Sequence, residues 1–152
     1  ALVSVAVAIS ALADRTVTAA GAVFGGVFLP FVLFWTPLVT GVFTRVTGVP
    51  VDAFNPPASG PLFVLLRLSP GGAYHVVTNW LLGVGNAAEL YSQVLTQLRP
   101  NVSTNAFVVE ATFPSGAVPW YLHESLGLVV LLAWLVVPLA VARSRFVRGD
   151  VV

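Results

Sequence analysis

Apolar and polar positions do not alternate along most of this chain. They fall into blocks. Residues 16–44 carry no charge, and the block is closed by Asp14 and Arg15 on one side and Arg45 on the other. A helix rises about 1.5 Å per residue, and a bilayer core of roughly 30 Å needs about 20 apolar residues to cross. The run from Phe24 to Trp35 shows no polar face. A helix apolar all round belongs in a large core or in lipid, and a chain of 152 residues points to lipid. The block predicts a span over residues 17–43, kinked by Pro30 and Pro37.

A second charge-free block, residues 125–142, follows Trp120 and Tyr121 and ends in Arg143, Arg145 and Arg148. Aromatic side chains at its start fit an interface anchor, giving a last span over residues 121–142. Residues 1–13 form a third apolar block, too short to cross alone. It lacks the basic lead-in of a signal peptide. It reads as the tail of a truncated span, and the chain as the C-terminal part of a longer protein. Asp14, Arg15 and Thr16 form the short turn that makes the first two helices antiparallel neighbours.

Between the blocks the texture changes. Eight prolines punctuate the segment, from Pro50 to Pro119. Residues 62–68 are apolar. Ser69 ahead of Pro70 is a helix start signal, with Ser69 as cap. Residues 73–98 read as one or two amphipathic helices broken near Gly83 and Gly85, re-entrant or interfacial rather than spanning. Residues 107–113 read as a short extended stretch. The expected fold class is an all-α integral membrane protein of about three transmembrane helices, one truncated, with a long external segment before the last helix. The expected divisions are 1–47, two helices joined by a cytoplasmic turn; 48–120, the external segment; and 121–152, the last helix with its Arg-rich tail.

Composition sharpens this. The chain is 57% hydrophobic and 9% charged, with a mean hydropathy of +0.92. Average globular chains carry about 25% charged residues. A net charge of +1 gives no basic face for nucleic acid. With no cysteine there is no disulfide framework and no thiolate ligand or nucleophile. All seven basic residues are arginine; that usage, rich in Val and Ala, points to a high-GC genome and an archaeal source. The Arg143, Arg145 and Arg148 cluster beside a span is the cytoplasmic mark. Parity then puts the Asp14–Arg15 turn inside and the long segment outside.

Candidate sites are few. Gly21 and Gly25 make a GxxxG, and Ala22 with Gly26 repeats the spacing one step on, which lets helices approach closely in lipid. Glycine is also common in membrane helices generally. Asn101 heads a glycosylation sequon, although such triplets recur by chance. His75 and Asn79 share a helix face, a pairing that resembles rhomboid-type intramembrane proteases; with Ser115 as nucleophile this is the rival reading. The expected GxSG is incomplete, because Phe113 stands where its first Gly would be, and the bland alternative is that both side chains satisfy backbone. His123 and Glu124 begin an HExxH that fails at Gly127. Glu89, Glu110 and Asp52 stand apart, without metal-ligand spacing. Glu124 at the mouth of the last span is explained by the helix dipole, although an ionisable group near lipid is also a functional candidate. No cofactor or metal is expected.

The order of these pieces resembles the C-terminal half of permease subunits of ABC-2 type transporters, found in archaea and bacteria. The likeness lies in the apolar residues 5–12, a short Arg-containing turn and a long span opened by Thr18-Ala19-Ala20. It continues in the turn from Leu68 to Tyr74, in Trp134 to Leu139 and in the ending from Arg145 to Val151. The resemblance implies a multi-pass, non-catalytic translocation subunit of the cell membrane. It would pair with an ATP-binding subunit and with a second permease copy or homologue. The chain holds no GxxxxGK[ST] and no lysine with which to build one. The long Pro-rich segment departs from the family pattern. A structural membrane protein without a transport role is the remaining alternative.

Overall fold

The computed structural model describes residues 1–13, 15–90, 107–114 and 117–149. Helix α1 (Leu2–Leu12) turns through Arg15 into α2 (Thr16–Val23). From there the helix widens into a π-helical stretch, Phe24–Leu33, with Pro30 inside it. The cause is steric. In an α-helix the proline ring meets the carbonyl four residues back and removes a hydrogen bond. A wider turn relieves the ring, and Phe34 N–H reaches back five residues to Leu29 O at 3.0 Å. The helix then breaks at Phe34 (φ −112°, ψ 2°) and restarts as α3 (Trp35–Thr47). The expected single span over residues 17–43 is therefore divided. Pro37 kinks nothing: it sits in the first turn of α3, where the missing N–H would have had no helical partner. Gly48 ends α3 in the left-handed conformation, its N–H bonded to Thr44 O.

The middle of the chain folds onto α3. Helix α4 (Gly60–Arg67) and helix α5 (Pro70–Leu82) are joined by a two-residue turn. Ser69 caps α5 as expected, its Oγ accepting Gly72 N–H at 2.8 Å. Gly83 closes α5 with the paired bonds of a Schellman motif, Val84 N–H to Asn79 O and Gly83 N–H to Trp80 O. Residues 107–113 are not an extended stretch. Phe107 lies at φ 59°, and Val108 makes a lone antiparallel bridge to Ala87. One helical turn, α6 (Val109–Thr112), follows. Left-handed backbone is unfavourable for an aromatic residue; here the Phe107 ring is buried edge-on to Phe63 at 6.4 Å, which offsets it. Val39, Phe43, Leu62, Phe63, Leu66, Val76, Val109 and Leu122 form the core of this unit.

Helix α7 (Ser125–Gly149) is the longest. It starts later than the expected 121–142, because Trp120–Leu122 is a separate 3-10 turn. It packs against α1 and α5. The contact with α5 is close: a Cβ on Gly127 would meet Val77, Ala73 O and Val76 at 3.1 to 3.2 Å. Among the described residues, Thr16–Leu33 and Ser125–Ser144 are long and apolar enough to cross a bilayer, and Leu2–Leu12 is apolar but shorter. All named elements among the described residues are helical.

Candidate functional site

Two polar clusters sit where the middle unit meets the long apolar helices. The first is built on Arg67, the last residue of α4, which is 4% exposed. Its guanidinium donates to Leu122 O and to Asn86 Oδ1. Asn86 Nδ2 donates to the same carbonyl at 2.8 Å, and Asn86 N–H donates to Glu110 Oε2 at 3.1 Å. Burial pulls the Arg67 pKa down to about 10, against the opposing pull of Glu124 and Glu110. Nothing local in the sequence marks Arg67 as buried; its partners lie 19 and 55 residues away.

The second cluster lines a cavity of about 70 Å³ at the Phe34 break. Thr36, Ser69, His75 and Glu89 supply its polar wall, and Phe31, Trp35 and Leu66 much of the rest. Thr36 Oγ1 donates to Glu89 Oε1 at 2.5 Å. Burial pushes the Glu89 carboxyl above its ordinary range, with the Thr36 bond acting the other way. Burial also lowers His75 below its ordinary 6.5. His75 Nδ1 is buried without a hydrogen-bond partner.

Tryptophan frames this corner. Two carbonyls at the C-terminal end of α4 and just past it accept indole N–H groups: Trp35 Nε1 donates to Leu65 O at 2.9 Å, which also accepts Leu68 N–H, and Trp134 Nε1 donates to Leu68 O at 2.8 Å. Phe31 stacks on Trp35 and meets Trp134 edge-on, both at 5.0 Å. The broken helix, α4 and α7 are thereby held together.

The residues singled out from sequence fall as follows. A Cβ on Gly21, Gly25 or Gly26 would meet nothing within 4 Å, so this stripe packs on no described part of the chain. Arg143 is exposed near the end of α7, and the helix continues through Arg145 and Arg148, whose side chains lie outside the described part. Asn101 and Ser115 lie outside the described residues, as does Asp14. Asn79 does satisfy backbone, as the bland reading had it: Nδ2 donates to Ala87 O at 2.8 Å and to Glu89 O at 3.2 Å. His123 Nδ1 lies 3.7 Å from Glu124 and 2.9 Å from Ser125 Oγ, and its ring meets Trp80 edge-on at 6.3 Å. No group of three metal-ligating side chains occurs among the described residues.

The profile of the family described as ABC-2 family transporter protein matches residues 1–151. No curated protein and no solved structure matches the chain.

Proposed function

The chain belongs to the ABC-2 transporter family, and on that premise we propose that it is a membrane-spanning permease subunit driven by a separate ATP-binding subunit. It works beside a second permease copy or homologue in the cell membrane and carries out no chemistry of its own. The observation that carries the reading is the family match over nearly the whole chain. The surface supports it. Val17, Phe24, Phe34, Val129, Leu132 and Val136 are all more than half exposed. Soluble monomers rarely expose apolar area on that scale.

In this reading α1, the broken helix and α7 are the membrane elements, and residues 48–120 lie outside. Arg143, Arg145 and Arg148 face the cytoplasm. Gly21, Gly25 and Gly26 form the face that packs against another helix of the assembly. The chain has no cysteine, so an introduced one is uniquely reactive. Ala58→Cys should react with an impermeant thiol reagent on intact cells, and Ser144→Cys only after lysis. The reverse pattern overturns the orientation. Tagged protein drawn from its native membrane should bring an ATP-binding subunit with it and show ATPase activity in that complex. Recovery without any ATPase, from intact and active membranes, overturns the transporter role.

A further inference from the structure

The cavity at the Phe34 break is not used by the permease reading, and its walls are unusual for a helix surrounded by apolar residues. Its volume, about 70 Å³, compares with a liquid-water share of about 30 Å³ per molecule, so it has room for about two waters. A buried water needs two to four polar partners. Ser69, Thr36, His75 and Glu89 are the polar side chains that line the cavity. Buried His75 Nδ1 has no partner within the protein, and a nitrogen in that position is costly unless something hydrogen-bonds to it.

We propose that this cavity is a hydrated proton-binding site, in which water between His75 and Glu89 lets the two side chains share one proton. As the O–H bond of the Glu89 carboxyl breaks, an N–H bond forms at His75 Nδ1. The intervening water accepts one proton and gives one up, and the net charge of the pair is unchanged. A second proton enters from bulk at low pH, and the shared one leaves at high pH.

Among the described residues, the other groups lining the cavity do not titrate. The π-helical stretch contributes Phe31 and Val32, α3 contributes Trp35 and Thr36, and α4 contributes Leu66. The α4–α5 turn gives Ser69, Gly71 and Gly72, and the segment after α5 gives Ala88 beside Glu89. Tyr74 meets the His75 ring edge-on at 5.5 Å. Arg67 is engaged elsewhere, with Leu122 and Asn86. The direction in which burial moves both groups, each toward its neutral form, agrees with a low-dielectric pocket. Because Glu89 is also bonded to Thr36, loss of the proton changes the contact that joins the restart of the broken helix to the middle unit.

The test reads the imidazole directly. The chain has two histidines, so His123→Asn leaves His75 as the only one. In the intact protein, with ¹⁵N-labelled histidine and in lipid nanodiscs, the His75 Nδ1 resonance should titrate in two steps. These should be separated by more than about one pH unit, as coupled groups do. Glu89→Gln should collapse them to one. A single step indifferent to Glu89→Gln overturns the proposal. If Glu89→Gln does not fold, the unsubstituted protein still decides. The infrared carboxyl band of Glu89 should persist above the ordinary carboxylate range and disappear together with the upper His75 step. Disappearance within the ordinary range overturns it. Replacing Na⁺ with a bulky organic cation should leave both steps in place; a shift would make the cavity a metal-cation site and overturn the proton site. None of these readouts involves transport, so their failure leaves the permease reading standing.

Discussion

Gly71 and Gly72 stand side by side in the first turn of α5, and alanine should act on them in opposite directions. From propensity alone, both substitutions stabilise, because alanine restricts the unfolded chain and favours helix by about 0.4–1 kcal/mol. The surroundings separate them. A Cβ on Gly71 would lie 3.8 Å from Phe31 O and 4.0 Å from Ser69 Oγ, ordinary contact. On Gly72 it would lie 2.1 Å from Leu66 O, 3.0 Å from Ser69 Oγ and 3.1 Å from Leu66 C. Two of those three atoms are backbone of α4, held by the indoles of Trp35 and Trp134 nearby, so they cannot swing away like a side chain. Relief requires α4 and α5 to part by about an ångström. Overpacking of this kind costs about 1–3 kcal/mol, and more when the backbone must move. We expect Gly72→Ala to destabilise by about 2 kcal/mol net and Gly71→Ala to stabilise by up to about 1. Thermal unfolding in detergent, followed by tryptophan fluorescence at one fixed scan rate, should show it. At about 2–4 °C per kcal/mol for a chain of this size, Gly72→Ala should lower the midpoint by about 4–8 °C. Gly71→Ala should raise it by about 1–4 °C. Equal midpoints for the two variants, or a rise for Gly72→Ala, would refute the close α4–α5 approach.

Further outcomes follow from the same corner of the fold. Ser69→Ala removes the α5 cap and should cost about 1 kcal/mol, whereas Ser69→Asn should retain most of the stability; urea titration of the detergent-solubilised protein checks both. Trp134→Phe keeps the ring against Phe31 but loses the donor to Leu68 O. It should cost about 0.5–1.5 kcal/mol, and an unchanged midpoint would show that bond to be idle. His75 has a lowered folded-state value, so the unfolded chain binds more protons just below 6.5. Stability is therefore full above 6.5 and is lost as pH falls through the folded value. Glu89 is raised, so its contribution is full below about 4.5 and is lost as pH rises through its folded value. A midpoint-versus-pH series should show both slopes, with His75→Gln removing the acidic one and Glu89→Gln the other.

The charge-free blocks, the Ser69 cap and the arginines at the end of α7 were all legible in the sequence, because each depends on neighbours within a turn or two. Hydropathy over a window, a hydroxyl three residues from an N–H, and like charges beside an apolar run are local quantities. They placed the second and third apolar blocks on helices at nearly the right residues. They also show which local rule misled. Pro30 and Pro37 both read as kinks of the first span, yet of the two only Pro30 lies inside a helix, while Pro37 occupies a first turn that the break at Phe34 creates.

That break, the burial of Arg67 and the placing of His75 and Glu89 on one cavity were decided by the tertiary structure. In sequence, Arg67 is one more cation in a long segment, and Glu89 is an isolated acid. Thr36 and Glu89 are 53 residues apart, and Arg67 and Leu122 are 55 apart. No periodicity connects such positions, because pairing across that distance depends on which helix faces close on one another. The amino-acid order determined which stretches leave water. Only packing determined which polar groups went with them, since a buried donor or charge is tolerated only where another element brings it a partner.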